Sequence, residues 1–380
     1  MVEIMKNNGK IMIIMPNLCG GGAEKLHVNL ANYWVNLGYE VEFVLMQKKG
    51  DLLDLLSPQV LVTDLKVNRI LGIILPLAGY LKSNEGIILA VMWPVTTVSV
   101  ISWLLSGFKQ KIILSDHNFL SISTIRELNI SRLTLKFTMG VTYRLATHVI
   151  AVSKGVKADL QGLSGLPNRK ISVIYNPVTQ IPFPSGQVKQ EIKDLWSREF
   201  RYHILAVGSL ENQKGFDDLI IAFSKVCKKV NAQLIILGEG SKREFLSNLV
   251  LKLDLEGKVS MPGFVKNPNL WFETADLFVL SSKWEGFGNV IVEALECGVP
   301  IVSTDCDSGP REILQNGKYG TLVSVGDNDA LSSSIYNSLL AHHDKSALIA
   351  RSKDFSIDKI SQQYLNLFNR VTDEKNKLEH

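Results

Sequence analysis

LFVLSSKWEGFGNVIVEAL, residues 277–295, begins with four apolar residues, crosses a loop holding Glu285, Gly286 and Gly288, and ends in apolar residues at helical spacing. The first part reads as a buried strand and the last as a helix beginning near Asn289. A strand feeding straight into a helix is one half of a parallel crossover unit. The unit recurs on both sides. Ile301–Ser303 follows it, and upstream Ile204–Val207 and Leu234–Leu237 each precede a helical pattern, from Gly215 and from Ser241. A separate series lies nearer the N-terminus, with runs at Ile11–Met15, Val41–Met46, Ile112–Leu114 and Val149–Val152. Such alternation predicts parallel sheets covered by helices on both faces.

The chain has 380 residues, more than one typical core accommodates. The two series are divided by NPVTQIPFPSGQ (176–187), the most proline-rich stretch and the expected linker. The expectation is an α/β protein of two Rossmann-like, doubly wound domains, residues 1–178 and 179–356, facing across a cleft. Ligands of such folds bind beyond the carboxyl ends of the strands. The pattern Ile357–Phe368 is expected to form a helix (357–370) that crosses back to the first domain. The final KLEH, residues 377–380, is set aside as a cloning scar.

Composition excludes several classes. With 46% hydrophobic and 21% charged residues, the chain can build globular cores. A net charge of +4 and a pI near 8.7 suit an anionic substrate or a membrane surface. No basic stripe interleaved with aromatics argues for nucleic acid. Cys19, Cys227, Cys297 and Cys306 are scattered, so neither a disulfide framework nor a zinc site is expected, and a reducing, cytoplasmic compartment is. Glu3, Lys6 and Lys10 interrupt the apolar start, so no signal peptide is expected. Residues 86–108 carry no charge and could span a bilayer by length. Pro94 and the hydroxyls of Thr96, Thr97, Ser99, Ser102 and Ser106 favour a strand, a break and a soluble helix instead.

Three strand-to-helix loops carry the candidate site. The first is Gly20-Gly21-Gly22-Ala23-Glu24, where glycines admit a ligand close to the backbone and a helix start faces an anion. It lacks the G-x-G-x-x-G dinucleotide fingerprint, and a merely tight turn is its plain alternative. In the second, Gly208 and Ser209 precede Lys214, whose ammonium could reach a phosphate; a solvated surface lysine is the alternative. The third is the opening stretch. Backbone N–H groups of Phe287, Gly288, Asn289 and Val290 would suit a diphosphate. Glu285 and Glu293 would accept hydrogen bonds from sugar and ribose hydroxyls.

Residues 285–293, EGFGNVIVE, resemble the E-x7-E motif of retaining glycosyltransferases of the GT-B fold, in the large family numbered four. Gly20–Glu24, Ser115-Asp116-His117-Asn118, Tyr175-Asn176-Pro177, Gly238-Glu239-Gly240, Pro262-Gly263-Phe264 and Ser308-Gly309-Pro310-Arg311-Glu312 fall in that family's order and spacing. The likeness covers essentially the whole chain and is most specific over 204–323. It implies a nucleotide-sugar donor, a UDP-sugar rather than a GDP-sugar, and a glycan acceptor. Glu285 would contact the donor sugar, Glu293 the ribose, Lys214 the diphosphate, and the backbone around Phe264 the base. Gly21, Gly22 and Gly238 fall at donor-side positions, and His117 at the reacting centre. Where the family usually has an arginine this chain has Ser209, which shifts charge onto Lys214, with Arg311 a further cation.

The resemblance implies a front-face, retaining displacement in assembly of a bacterial surface glycan on a lipid-linked carrier. Asp305-Cys306-Asp307 looks like a metal-binding D-x-D but follows a strand of the wrong fold type, so no essential metal is expected. Residues 126–144 mix Arg126, Arg132, Lys136 and Arg144 with apolar residues. They read equally as a helix suited to the inner-membrane surface or a lipid diphosphate, or as a solvated helix with one buried side. The rival readings are a catalytically silent glycan-binding relative and a nucleotide-sugar epimerase or oxidoreductase, the latter disfavoured by the missing fingerprint.

Overall fold

The computed structural model describes residues 9–127, 130–178, 196–265 and 268–376; the latter part of the expected linker and the terminal KLEH lie outside these. Two compact units are formed, one from residues 1–179 with 357–380 and one from 180–356.

The first unit opens β1 (Ile11–Met15), α1 (Gly22–Asn36), β2 (Val41–Leu45), β3 (Leu61–Asp64) and α2 (Ile74–Ser83). There follow β4 (Ile87–Val91), α3 (Val95–Leu105), β5 (Ile112–Asp116), α4 (Leu120–Glu127) and α5 (Arg132–Leu145). It continues with β6 (His148–Ala151), α6 (Lys154–Ser164) and β7 (Ile171–Val173). All seven strands are parallel, in the order β3-β2-β1-β4-β5-β6-β7. β1, β2, β4 and β5 are buried along their whole length, which is why they read as mainly apolar runs, broken only by Glu42 in β2 and by Ser115 and Asp116 at the end of β5.

The uncharged stretch 86–108 divides as its proline suggests: β4, a cis Trp93–Pro94 bond, then α3. No described helix is long and apolar enough to cross a membrane. The basic segment 126–144 is not one helix. It holds the end of α4 and most of α5, and Ser131 starts the second by accepting a hydrogen bond from Thr134 N at 3.1 Å.

The second unit runs β8 (Tyr202–Val207), α7 (Phe216–Val226), β9 (Ala232–Leu237), α8 (Arg243–Lys252) and β10 (Val259–Gly263). It goes on through α9 (Asn269–Thr274), β11 (Leu277–Leu280), α10 (Asn289–Cys297), β12 (Ile301–Thr304) and α11 (Pro310–Ile313). β13 (Thr321–Val323), α12 (Asn328–Leu340) and α13 (Lys345–Ser352) complete it. Its sheet, again all parallel, has the order β10-β9-β8-β11-β12-β13.

The last helix, α14 (Ile357–Asn376), belongs to the first unit and runs further than residue 370. Trp34 of α1 is fully buried against it, with ring centroids 5.8 Å from Tyr364 and 5.7 Å from Phe368. Its indole N–H donates to Ser361 Oγ at 2.8 Å. Tyr364, Leu367 and Phe368 join Ile13, Phe43 and Leu89 in one core. Truncating Trp34 to alanine would cost about 3–5 kcal/mol and loosen that attachment.

Each sheet has one place where the strand order reverses direction: between β1 and β4 in the first unit, and between β8 and β11 in the second. Loops leaving adjacent strands there diverge and open a crevice for ligands.

Candidate active site

At the β8/β11 reversal, the loop after β8 and the loop after β11 are stitched together. Lys283 N donates to Gln213 O at 2.7 Å, Gln213 Nε2 to Trp284 O at 3.0 Å, and Ser281 Oγ to Lys214 O at 2.8 Å. The stem of Lys214 lies against Gly208, and its ammonium meets Glu285 Oε1 at 2.6 Å. Ser282 Oγ donates to the same oxygen at 2.7 Å. Both contacts of Glu285 therefore fall on Oε1, which leaves Oε2 for a ligand hydroxyl. The carboxylate is only 6% exposed, so the lysine and serine offset the cost of burying its charge.

The loop after β12 adds a third tie, with Ser308 Oγ donating to Gly286 O at 2.7 Å and Thr304 Oγ1 to Ser282 O at 2.6 Å. These bonds fix where α10 begins. Gly288 stands at its N-cap at φ 93° with no side-chain cap, and the positive end of the helix dipole there suits an anion. Asn289, Val290 and Glu293 are half-buried there. The Phe287 ring packs on Phe355, with centroids 5.6 Å apart, so only its backbone can serve a ligand. Glu296, one turn past Glu293, has its carboxyl pushed up to about 7 by burial and then by Glu293.

Gly238 ends β9 against β8 at φ 144°; a Cβ there would stand 1.9 Å from Gly208 O, so any larger residue would force the two loops apart. Its N–H donates to Gly263 O at 2.9 Å, which ties in the end of β10 and places Phe264 just beyond, 74% exposed. Ser209 is exposed beside Lys214. Arg311, the further cation, forks its guanidinium onto Asp305, Nε at 3.0 Å from Oδ1 and Nη2 on Oδ2, as Lys214 pairs with Glu285. The same fork occupies the first carboxylate of the D-x-D look-alike.

The first unit's reversal is electrically different. Gly21 and Gly22 are exposed at the start of α1, and the Glu24 carboxylate folds back so closely that a Cβ on Gly21 would collide with it. Burial raises the Glu24 carboxyl above its ordinary value. His117 follows β5 and is 9% exposed, its Nε2 3.1 Å from Ser115 Oγ. The His27 ring, fully buried on α1, meets it edge-on with centroids 5.1 Å apart. His27 Nδ1 lies 2.8 Å from Ala23 O and must carry its proton there, because a carbonyl only accepts. Burial holds His27 down to about 4; burial and then His27 hold His117 well below its usual value, with Asn176 pulling the other way. Both rings are neutral at pH 7.

Asp116, beside His117, braces the region. It accepts from Trp93 N at 3.1 Å and from Tyr143 OH at 2.6 Å, and Tyr143 OH lies 2.7 Å from Thr96 Oγ1. Burial pushes this carboxyl up to about 6 against those two bonds. Neither His27 nor the Asp116–Tyr143 pair was singled out from sequence. Ser282 was missed too, although its S-x-x-E spacing to Glu285 was a visible signal.

The matching families agree with this geometry. Residues 20–179 match the model of Glycosyltransferase Family 4, and residues 188–353 match that of Glycosyl transferases group 1. The chain belongs to the group 1, family 4 glycosyltransferases.

Among relatives of this chain is the Campylobacter jejuni N-acetylgalactosamine-N,N'-diacetylbacillosaminyl-diphospho-undecaprenol 4-alpha-N-acetylgalactosaminyltransferase. The two are 30% identical over 225 residues, 59% of each chain. The match thus spans about three-fifths of that relative's length. A glycosyltransferase from Rickettsia africae superposes with a TM-score of 0.80 at 20% identity, over 96% of this chain and 99% of that one. The Anabaena protein HepE, crystallised with UDP, superposes at 0.78 with 22% identity, over 95% and 100%. At such identities the likeness establishes the fold, two Rossmann-like units of the GT-B type.

Proposed function

We propose that this chain is a retaining, metal-independent glycosyltransferase that moves a sugar from a UDP-sugar to a lipid-linked glycan acceptor in surface-polysaccharide assembly. The observation that carries the reading is the second unit's reversal point, where Lys214, Glu285 and the uncapped start of α10 converge. A diphosphate needs positive charge, which Lys214 and the helix start supply. A sugar needs hydrogen-bond acceptors, which Glu285 Oε2 and Glu293 supply.

In the proposed step the acceptor oxygen bonds to the anomeric carbon on the face from which the diphosphate leaves. The C–O bond to the phosphate breaks, and the departing phosphate oxygen takes the acceptor's proton. Lys214 and α10 stabilise the charge that develops on that phosphate. His117, neutral, is the proposed hydrogen-bonding group at the reacting centre. UDP is favoured over GDP because the GT-B neighbour HepE carries UDP, and the lipid-linked acceptor is favoured by the name of the Campylobacter relative.

Thermal melting against a panel of UDP-, GDP- and dTDP-sugars tests the reading, since a ligand of the folded state raises stability by mass action. Stabilisation by UDP-sugars, followed by transfer with retained anomeric configuration, is the expected result. Stabilisation by GDP-sugars alone, or by none, would overturn the donor assignment.

A further inference from the structure

Helix α5 has two apolar faces. Leu135, Met139 and Tyr143 are fully buried in the first unit, whereas Leu133 and Phe137 are 79% and 76% exposed, with Val141 and Leu145 exposed along the same side. One buried face is what a surface helix needs; a second, at four-residue spacing, has no partner among the described residues. Leu71, in the 3-10 turn before α2, and Leu75, in the first turn of α2, are exposed as well, and α2 packs on α3, itself packed on α5.

The charges around this face are mainly positive. Between residues 86 and 164 stand eight lysines and arginines and three acids, Asp116, Glu127 and Asp159, the last of which faces Arg132 from α6. Asp116 is buried under Tyr143, and α5 itself holds Arg132, Lys136 and Arg144 with no acid. A groove of about 340 Å³ between α5 and α6 is lined by Phe137, Val141, Gly140, Gly162 and Gly165, with Lys136 at its rim.

We infer that α5 docks this unit on an anionic phospholipid bilayer, with Leu133, Phe137 and Val141 entering the headgroup–acyl boundary and Arg132 and Lys136 meeting lipid phosphates. The inference rests on the lipid-linked acceptor proposed above, because such an acceptor is presented at a membrane surface. Apolar side chains flanked by cations are what that interface selects. A second copy of the chain is a poor occupant: a two-fold contact would set one basic α5 face, with three cations and no acid, against another.

The test is cosedimentation of the full chain with vesicles of phosphatidylcholine alone or mixed with phosphatidylglycerol, in low and high salt. Wild type is expected to pellet with the anionic vesicles, less so in high salt. Leu133→Glu with Phe137→Glu should weaken that partition by at least about tenfold, since two apolar side chains leave the interface. Both positions are exposed, so the variant's melting temperature and its UDP affinity should match wild type. Equal pelleting of wild type and variant, no pelleting at all, or a wild-type dimer that the variant dissolves would each overturn the inference. Sugar transfer by wild type in detergent without vesicle binding would remove the docking face and leave the enzymatic reading intact. Vesicle binding without any nucleotide-sugar turnover would do the reverse.

Discussion

The two units share a topology and differ in what they place at its reversal point. In the second, a lysine and a glutamate face each other at 2.6 Å beside a helix start with no side-chain cap. In the first, two buried imidazoles are held neutral, a carboxyl is raised to about 6, and the helix start is covered by its own Glu24. The fold therefore supplies the crevice, and the loop residues decide whether it suits an anion or an uncharged hydroxyl. That contrast fits a donor carrying a diphosphate and an acceptor offering a hydroxyl.

The largest expected effect breaks the neutral side. His117→Ala should lower turnover at saturating donor by roughly 10²–10⁴, the range for a positioned polar group in a reacting centre. Turnover per folded molecule and a melting curve are measured together; near-normal turnover would make His117 structural. On the charged side, Glu293→Ala should weaken UDP by about 1–3 kcal/mol through lost hydroxyl contacts. Calorimetry reads this directly, and unchanged affinity would take Glu293 out of the site.

The neutrality of the histidines has a stability consequence. The unfolded chain protonates His27 near its ordinary 6.5, but the folded chain does so only near 4. Between those values the unfolded state binds more protons, so stability falls as pH drops from 6.5 to 4, by about 3 kcal/mol for this group. Asp116 and Glu296, raised to about 6 and 7, act oppositely, losing stability as pH rises through those values. The clean readout is a difference: in urea melts, His27→Phe should make the acid-side slope shallower than in wild type, with buried His117 supplying a remaining slope of the same sign. An unchanged slope would mean His27 titrates alike in both states. The smallest expected effect is none: activity should survive EDTA. Loss of activity restored by Mg²⁺ would reassign Asp305 and Asp307.

Much of this was legible in the sequence, and the failures have physical causes. The buried central strands announce themselves as apolar runs. β3, β7, β10 and β13 do not, and all four are sheet edges, where strands are short and carry polar residues such as Thr63, Asp64, Ser172 and Ser260. Lys214 and Glu285 could each be named from their loops. Their pairing could not, because 71 residues separate them and only the β8/β11 adjacency brings them together. His27 was hidden among the apolar positions of α1, and nothing in its neighbours marked it as facing His117. The second apolar face of α5 was visible as composition but not as exposure.

The division of labour between the two crevices is tested most directly by calorimetric titration of UDP and of uridine into wild type, Lys214→Ala and His117→Ala. The account predicts that Lys214→Ala weakens UDP by about 1.5–3 kcal/mol while leaving uridine nearly unchanged, because its charge is aimed at phosphate. It also predicts that His117→Ala binds both ligands as wild type does. Equal loss of UDP and uridine in Lys214→Ala, or a loss of UDP in His117→Ala as large as that in Lys214→Ala, would contradict it.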